Sequence, residues 1–269
     1  MQQTQLVVAA KRMYEYIFAR ECMQGFNNAL FKMALHGLGF NLSHELAESG
    51  ELHFLKRLDH FQPRLCIDIG ANVGSYTEAL LEVTDARVIC FEPLPATYSK
   101  LSALKDTYGD RVQMKNCAIG DSNSTMTLHY DPDRTALSSL ADSALNVDYV
   151  KQCCTETATV EVRTLDDVLE REFSEHLHDG IDLIKIDVEG FEHQVLAGAQ
   201  QTILRFQPRF IQMEYNMHQM YAMQSLWQFS QLLSGYECYQ LLPRGWRKVD
   251  PCHAESNVYC YSNFVFARH

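Results

Sequence analysis

The chain has 269 residues, 46% of them hydrophobic, and a formal net charge of −11. That is enough apolar material for one large α/β domain with an extra segment, and it argues against a disordered or fibrous chain. The acidic balance also argues against a nucleic-acid partner or an anionic membrane surface, because phosphate binding needs a concentrated basic face.

Residues 1–60 read as a helical extension. Met13, Ile17 and Phe18, then Phe26, Leu30, Met33 and Ala34, recur at helical spacing, and Gly37 and Gly39 interrupt the pattern. Ser43 is placed to cap a further helix through Leu46 towards Leu58. The expected role is a helical cover over the sheet. A lid or a homodimer contact through these helices is the alternative.

From Arg64 short apolar runs alternate with helical patterns. Strands are predicted at Leu65–Ile69, Arg87–Phe91, Val112–Cys117, Asp182–Ile186, Arg209–Glu214, Tyr236–Leu241 and Tyr259–Ala267. Helices are predicted at Ser75–Glu82, Pro95–Lys105, His193–Phe206 and Leu226–Leu233. Such alternation implies a doubly wound α/β domain over residues 61–269, a Rossmann-like parallel sheet with helices on both faces and an antiparallel edge at the end. Residues 122–163 break the pattern. Thr125–Tyr130 and Thr157–Arg163 alternate as two-faced strands, separated by the polar, turn-rich Asp131–Glu156, and an insertion of this length is usually functional or mobile.

Nine cysteines without a C-x-x-C pair point to a reducing, cytoplasmic setting. Leu6–Ala10 is too short for a signal sequence and no run reaches a membrane span, so no membrane insertion is expected.

Asp68-Ile69-Gly70-Ala71-Asn72-Val73-Gly74 leaves a strand and enters a helix, the place where open α/β sheets bind ligands. Glu92 ends the next strand about twenty residues on, the spacing of an acid that accepts ribose hydroxyls. The pair indicates a nucleoside. Asn72 stands where a dinucleotide fingerprint has its second glycine, and Asp68 would repel a pyrophosphate but suit the ammonium of a methionine moiety. This favours S-adenosylmethionine over NAD. A second acidic group, Asp187 and Glu189, follows a strand in which Lys185 is flanked by isoleucines. Glu214 and His218 follow the neighbouring strand, and Lys185 could reach a carboxylate. Tyr14, Tyr16, Phe18 and Trp227 are candidates for an apolar pocket, though core packing is the plainer use of each, and Trp246 for acceptor contact.

These segments, with Asn116–Asp121, Thr164–Asp167 and Ile184–Glu192 followed by Val195–Ala199, resemble the FkbM family of S-adenosylmethionine-dependent methyltransferases, in family order over about residues 64–267. The resemblance implies a seven-stranded, mostly parallel sheet. Asp68, Gly70 and Asn72 would surround the methionine part, with Ala71, Gly74 and Tyr76 on the same turn and helix. Glu92 would hold the ribose, Cys117 and Ala118 would flank the adenine, and Pro93, Asn116 and Asp187 would belong to the same cofactor-binding set. Ser139, in the Ser138-Ser139-Leu140 stretch, would close over the cofactor. The expected reaction is O-methylation of a small-molecule hydroxyl on a sugar, glycoside or secondary metabolite. Asp187, Glu189, Glu214 or His218 would be the base, or the acids would gather Mg²⁺. A non-catalytic nucleoside-binding module and an NAD-dependent oxidoreductase are the competing readings.

Overall fold

A computed structural model describes residues 2–268. Among them eleven strands are formed: β1 Leu65–Ile69, β2 Arg87–Phe91, β3 Val112–Lys115, β4 Ala118–Ile119, β5 Ser124–Tyr130, β6 Glu156–Arg163, β7 Leu183–Ile186, β8 Phe210–Tyr215, β9 Glu237–Leu242, β10 Gly245–Lys248 and β11 Ser262–Ala267. Eight make the main sheet, in the order β10-β9-β11-β8-β7-β1-β2-β3. Pairing is parallel from β3 across to β8, and antiparallel at β8–β11, β11–β9 and β9–β10. The sheet therefore has one strand more than the seven expected. Residues 245–248 double back on β9 through Pro243-Arg244, and a four-residue run beside a turn carries too little alternation to be read as a strand.

Chain order reverses at the centre. From β1 the chain builds outward through β2 and β3, and it later returns to lay β7 on the other side of β1. Such a switch point opens a crevice at the carboxyl ends of the strands. Both faces of the central strands are buried, as expected for a parallel sheet covered on two sides. On one face Ile67, Ile69, Phe91, Ile184 and Ile186 pack with Val168, Leu196 and Phe229 from the helices. On the other, Cys66, Val88, Leu183 and Phe210 pack with Phe54, Leu55, Leu58 and Leu80.

The insertion forms a separate three-stranded sheet, β4-β6-β5, in which β5 pairs antiparallel with β6 over the whole length of β5. It has its own small core of Leu128, Leu140, Val160 and Val162, which meets Leu94, Ala118 and Phe191. The predicted helices at 95–105 and 193–206 are each divided in two, the second at Gly198. Among the described residues no helix is long and apolar enough to cross a membrane.

The N-terminal helices differ from the expected cover. Met13, Tyr16, Phe31 and Met33, on helices Gln2–Phe18 and Gln24–Gly37, are each more than half exposed, and Leu35 is the one buried residue of the second helix. Packing on the sheet starts at Leu35 and Phe40 and continues through helix Glu51–Asp59. Ser43 is not a helix cap. Its hydroxyl accepts from the Glu45 amide, ahead of helix Leu46–Ser49. Phe40→Ala should destabilise by about 3–5 kcal/mol, and Phe31→Ser should stay within about 0.5 kcal/mol. Denaturant unfolding of both variants checks this, and equal losses would show that helix Gln24–Gly37 is buried in solution.

Candidate active site

A cavity of about 790 Å³ lies along the carboxyl edge of the main sheet. Its floor follows the strand order, from Glu92 after β2, through Gly70–Asn72 after β1 and Asp187 after β7, to Glu214 on β8 and Tyr261 before β11. Four inter-strand spacings separate β2 from β11, roughly 19 Å, so the two ends can hold different chemical groups.

The glycine turn and Glu92 form one end. Gly70 has φ +83, and a Cβ there would collide with the Asp187 carbonyl oxygen, so no side chain fits. The amides of Gly70 and Ala71 donate to the Phe91 carbonyl. The Asn72 amide donates to Glu92 Oε2 at 3.0 Å and the Leu94 amide to Oε1 at 2.9 Å. Glu92 is thus fixed by main-chain donors, while burial pushes its carboxyl up to about 7. The Asn116 side-chain amide donates to the carbonyls of Glu92 and Pro93 and holds that turn. Cys117 and Ala118 form the adjoining wall. The insertion supplies the roof: Arg134, Thr135, Leu137 and Leu140 line it, and the Thr135 hydroxyl donates to Asn72 Oδ1 at 2.9 Å.

Carboxylates dominate the other end. Asp187, Glu189 and Glu214 each present an oxygen within 4.8 Å of the others. Lys185 Nζ lies 3.0 Å from Asp187 Oδ2 and 3.7 Å from Asp68 Oδ1, with its side chain 7% exposed. The Asn216 side-chain amide donates to Glu214 Oε1 and faces Glu189 Oε2. His218 Nδ1 lies 3.0 Å from the same Glu189 oxygen. Glu189 has a left-handed backbone, φ +50, which turns its side chain into this group. Burial, aided by the charge of Asp187, raises the carboxyls of Glu189 and Glu214 well above their ordinary range. Burial also lowers the His218 imidazole.

Most residues expected at the site reach the cavity: Gly70, Ala71, Asn72, Tyr76, Glu92, Pro93, Cys117, Ala118, Asp187, Glu189 and Glu214. Five lie behind it. Asp68 is 1% exposed, accepts from Thr77 Oγ1 at 2.6 Å and lies 3.7 Å from Lys185 Nζ, so it stands behind the lining among the helix packing and Lys185. Gly74 packs against Leu101 and Leu104. Asn116 braces the Glu92 turn, and the Ser139 hydroxyl donates to the Glu189 carbonyl at 2.7 Å. His218 is fully buried and reaches the cavity through Glu189.

The lining also includes Lys185, whose signal is a charge inside an apolar strand, and His44, Leu46 and Glu51 from the N-terminal segment. Glu51 carries the one visible cue of those three, an acid directly after Gly50 at a helix start. Trp246 is elsewhere, on β10 against Phe54 and Phe210 with the Arg57 guanidinium over its ring. Tyr14, Tyr16 and Trp227 are exposed and do not line the cavity. Phe18 stacks between Tyr14 and Phe26, away from it.

The profile of the methyltransferase FkbM domain matches residues 68–238. The chain is 32% identical to methyltransferase sdnD of Sordaria araneosa over 156 residues, 50% of this chain and 60% of that protein. It is 32% identical to 2-O-methyltransferase NoeI of Sinorhizobium fredii over 190 residues, 66% of this chain and 74% of that protein. It is 29% identical to 31-O-demethyl-FK506 methyltransferase FkbM of Streptomyces tacrolimicus over 156 residues, 49% and 58% of the two. The matched segment runs from the glycine turn through the acid cluster to β9, and by that match the chain belongs to the FkbM methyltransferase family.

Proposed function

We propose that the protein is an S-adenosylmethionine-dependent O-methyltransferase acting on a hydroxyl of a small molecule: a sugar, a glycoside or a secondary metabolite. The observation that carries this reading is one cavity with a nucleoside-type end at Glu92 and an acid-rich end at Glu189 and Glu214. The names of two relatives, a 2-O-methyltransferase and a 31-O-demethyl-FK506 methyltransferase, support oxygen as the atom methylated.

The bound donor would supply a methyl group on a sulfonium. Glu92 would accept the ribose hydroxyls, since its two oxygens each keep lone pairs beyond those used by the Asn72 and Leu94 amides. Cys117 and Ala118 would flank the base, and the Asn72–Thr135 contact would keep the roof over it. What remains for the protein is to align the acceptor and take its proton. Glu189 is suited to accept that proton. Its raised carboxyl makes it a stronger base once ionised, and His218 and Asn216 fix its direction. His218 is a positioning residue, because it does not reach the cavity.

The same three carboxylates would suit Mg²⁺, which would acidify a bound hydroxyl. Lys185 at 3.0 Å from Asp187 Oδ2 already neutralises one of them and favours the metal-free reading. Turnover measured with and without chelator decides between them: loss restored by Mg²⁺ assigns the acids to a cation, and an unchanged rate supports proton transfer to a carboxylate without a metal.

Glu189→Gln should lower kcat by roughly 10²–10⁴ while donor affinity, read by calorimetry, stays the same. Full turnover in this variant would remove Glu189 as the base. Because its carboxyl is raised, the wild-type rate should climb with pH until Glu189 ionises. Glu92→Gln should weaken donor binding about 10–100-fold, the loss of a hydrogen bond to a charged acceptor. Its effect on the free protein has the opposite sign. Glu92 titrates near 7 when folded and near 4.5 as a free side chain, so folding binds its proton more tightly, and stability falls as pH rises from about 4.5 to 7. Glu92→Gln should therefore be more stable than wild type at pH 8, by on the order of 1–3 kcal/mol, in denaturant melts at pH 5 and 8.

A further inference from the structure

Glu51 lies outside the segment matched by the family profile, in helix Glu51–Asp59 of the N-terminal segment, yet it lines the cavity. It is 6% exposed and held from two sides: Gln212 Nε2 donates to Oε1 at 2.8 Å, and Ser49 Oγ donates to Oε2 at 3.0 Å. The Tyr76 hydroxyl in turn donates to Gln212 Oε1 at 2.6 Å, which fixes the orientation of the Gln212 amide. Gly50, at φ +95, runs so close to the Leu242 carbonyl that a Cβ would lie 2.6 Å from its oxygen. The tight turn delivers Glu51 over β7 and β8, where Lys185 and Gln212 stand in register.

A carboxylate this enclosed is costly unless something positive meets it. Lys185 provides part of that charge, but its ammonium is in contact with Asp187 and Asp68. Asp68, the acid the sequence suggests for an amino group, is sealed behind the floor by Thr77. Glu51 and Lys185 are then a carboxylate and an ammonium that both face the cavity beside the glycine turn. Opposite charges side by side match an α-amino acid, whose own ammonium and carboxylate are neighbours.

We propose that Glu51 binds the ammonium group of the donor's amino-acid part, with Lys185 receiving its carboxylate. This rests on the reading of the donor as S-adenosylmethionine. The N-terminal segment is then a component of the donor site itself.

Calorimetric titration of wild type and Glu51→Gln with S-adenosylmethionine, S-adenosylhomocysteine and 5′-methylthioadenosine tests the assignment, since the last keeps the nucleoside but lacks the amino acid. Glu51→Gln should weaken both amino-acid-bearing ligands by about 10–100-fold, as for a lost charge-assisted bond. The methylthioadenosine affinity should not change. Ser49→Ala, which frees one oxygen of Glu51 without removing its charge, should give a smaller loss with the same pattern. Equal weakening of all three ligands, or no weakening of any, would overturn the role of Glu51. A wild-type protein that binds none of the three would instead overturn the donor reading. Thermal melts of both variants separate a lost contact from a lost fold.

Discussion

Lys185 is the residue on which the centre of this molecule depends. An ammonium inside a parallel sheet costs several kcal/mol unless it is paired, and here carboxylates on either side pair it: Asp68 on β1 and Asp187 beyond β7. Its charge in turn lets Asp187 stand beside Glu189 and Glu214 at the cavity wall. Removing the ammonium would leave a set of mutually repelling acids within a few ångströms, and the crevice at the switch point would lose its shape as well as its charge balance. The Tyr76 ring lies under the same nitrogen, 4.8 Å from its centroid, so the apolar packing of that helix is tied to the ion pair.

Much of the fold is legible from periodicity because its strands are buried on both faces and bounded by turns. The central strands and the order of the α/β units follow from runs such as Leu65–Ile69 and Arg87–Phe91. β10 is not legible, because four residues after a proline turn carry no period of their own. The N-terminal helices depart from expectation for a related reason. An apolar stripe shows that a helix has a side to bury, but not what it is buried against, and here Met13, Phe31 and Met33 face outward.

The site divides the same way. Residues on the turns after β1, β2 and β7 are legible, since a glycine run or an acid at a strand end has few other uses. Whether such a residue faces a ligand or the packing behind it depends on which side of the strand it leaves, as Asp68 and His218 show. Thr135 is invisible from sequence, and the acid after Gly50 is the only local mark that Glu51 carries. They reach the cavity only because a distant segment folds over the sheet edge, and local spacing carries no trace of that.

The close approach of Gly70 to the Asp187 carbonyl has a consequence for how such a protein can diversify. The glycine turn after β1 and the loop that carries the acids after β7 share one point of steric contact, with no room for a single added methyl group. Neither loop can be lengthened, shifted or rebuilt there without the other moving in step. Structural freedom is therefore unequal around the cavity: the seam between β1 and β7 leaves no room for an added atom, and it ties the glycine turn and the acid-bearing loop to a common reference point.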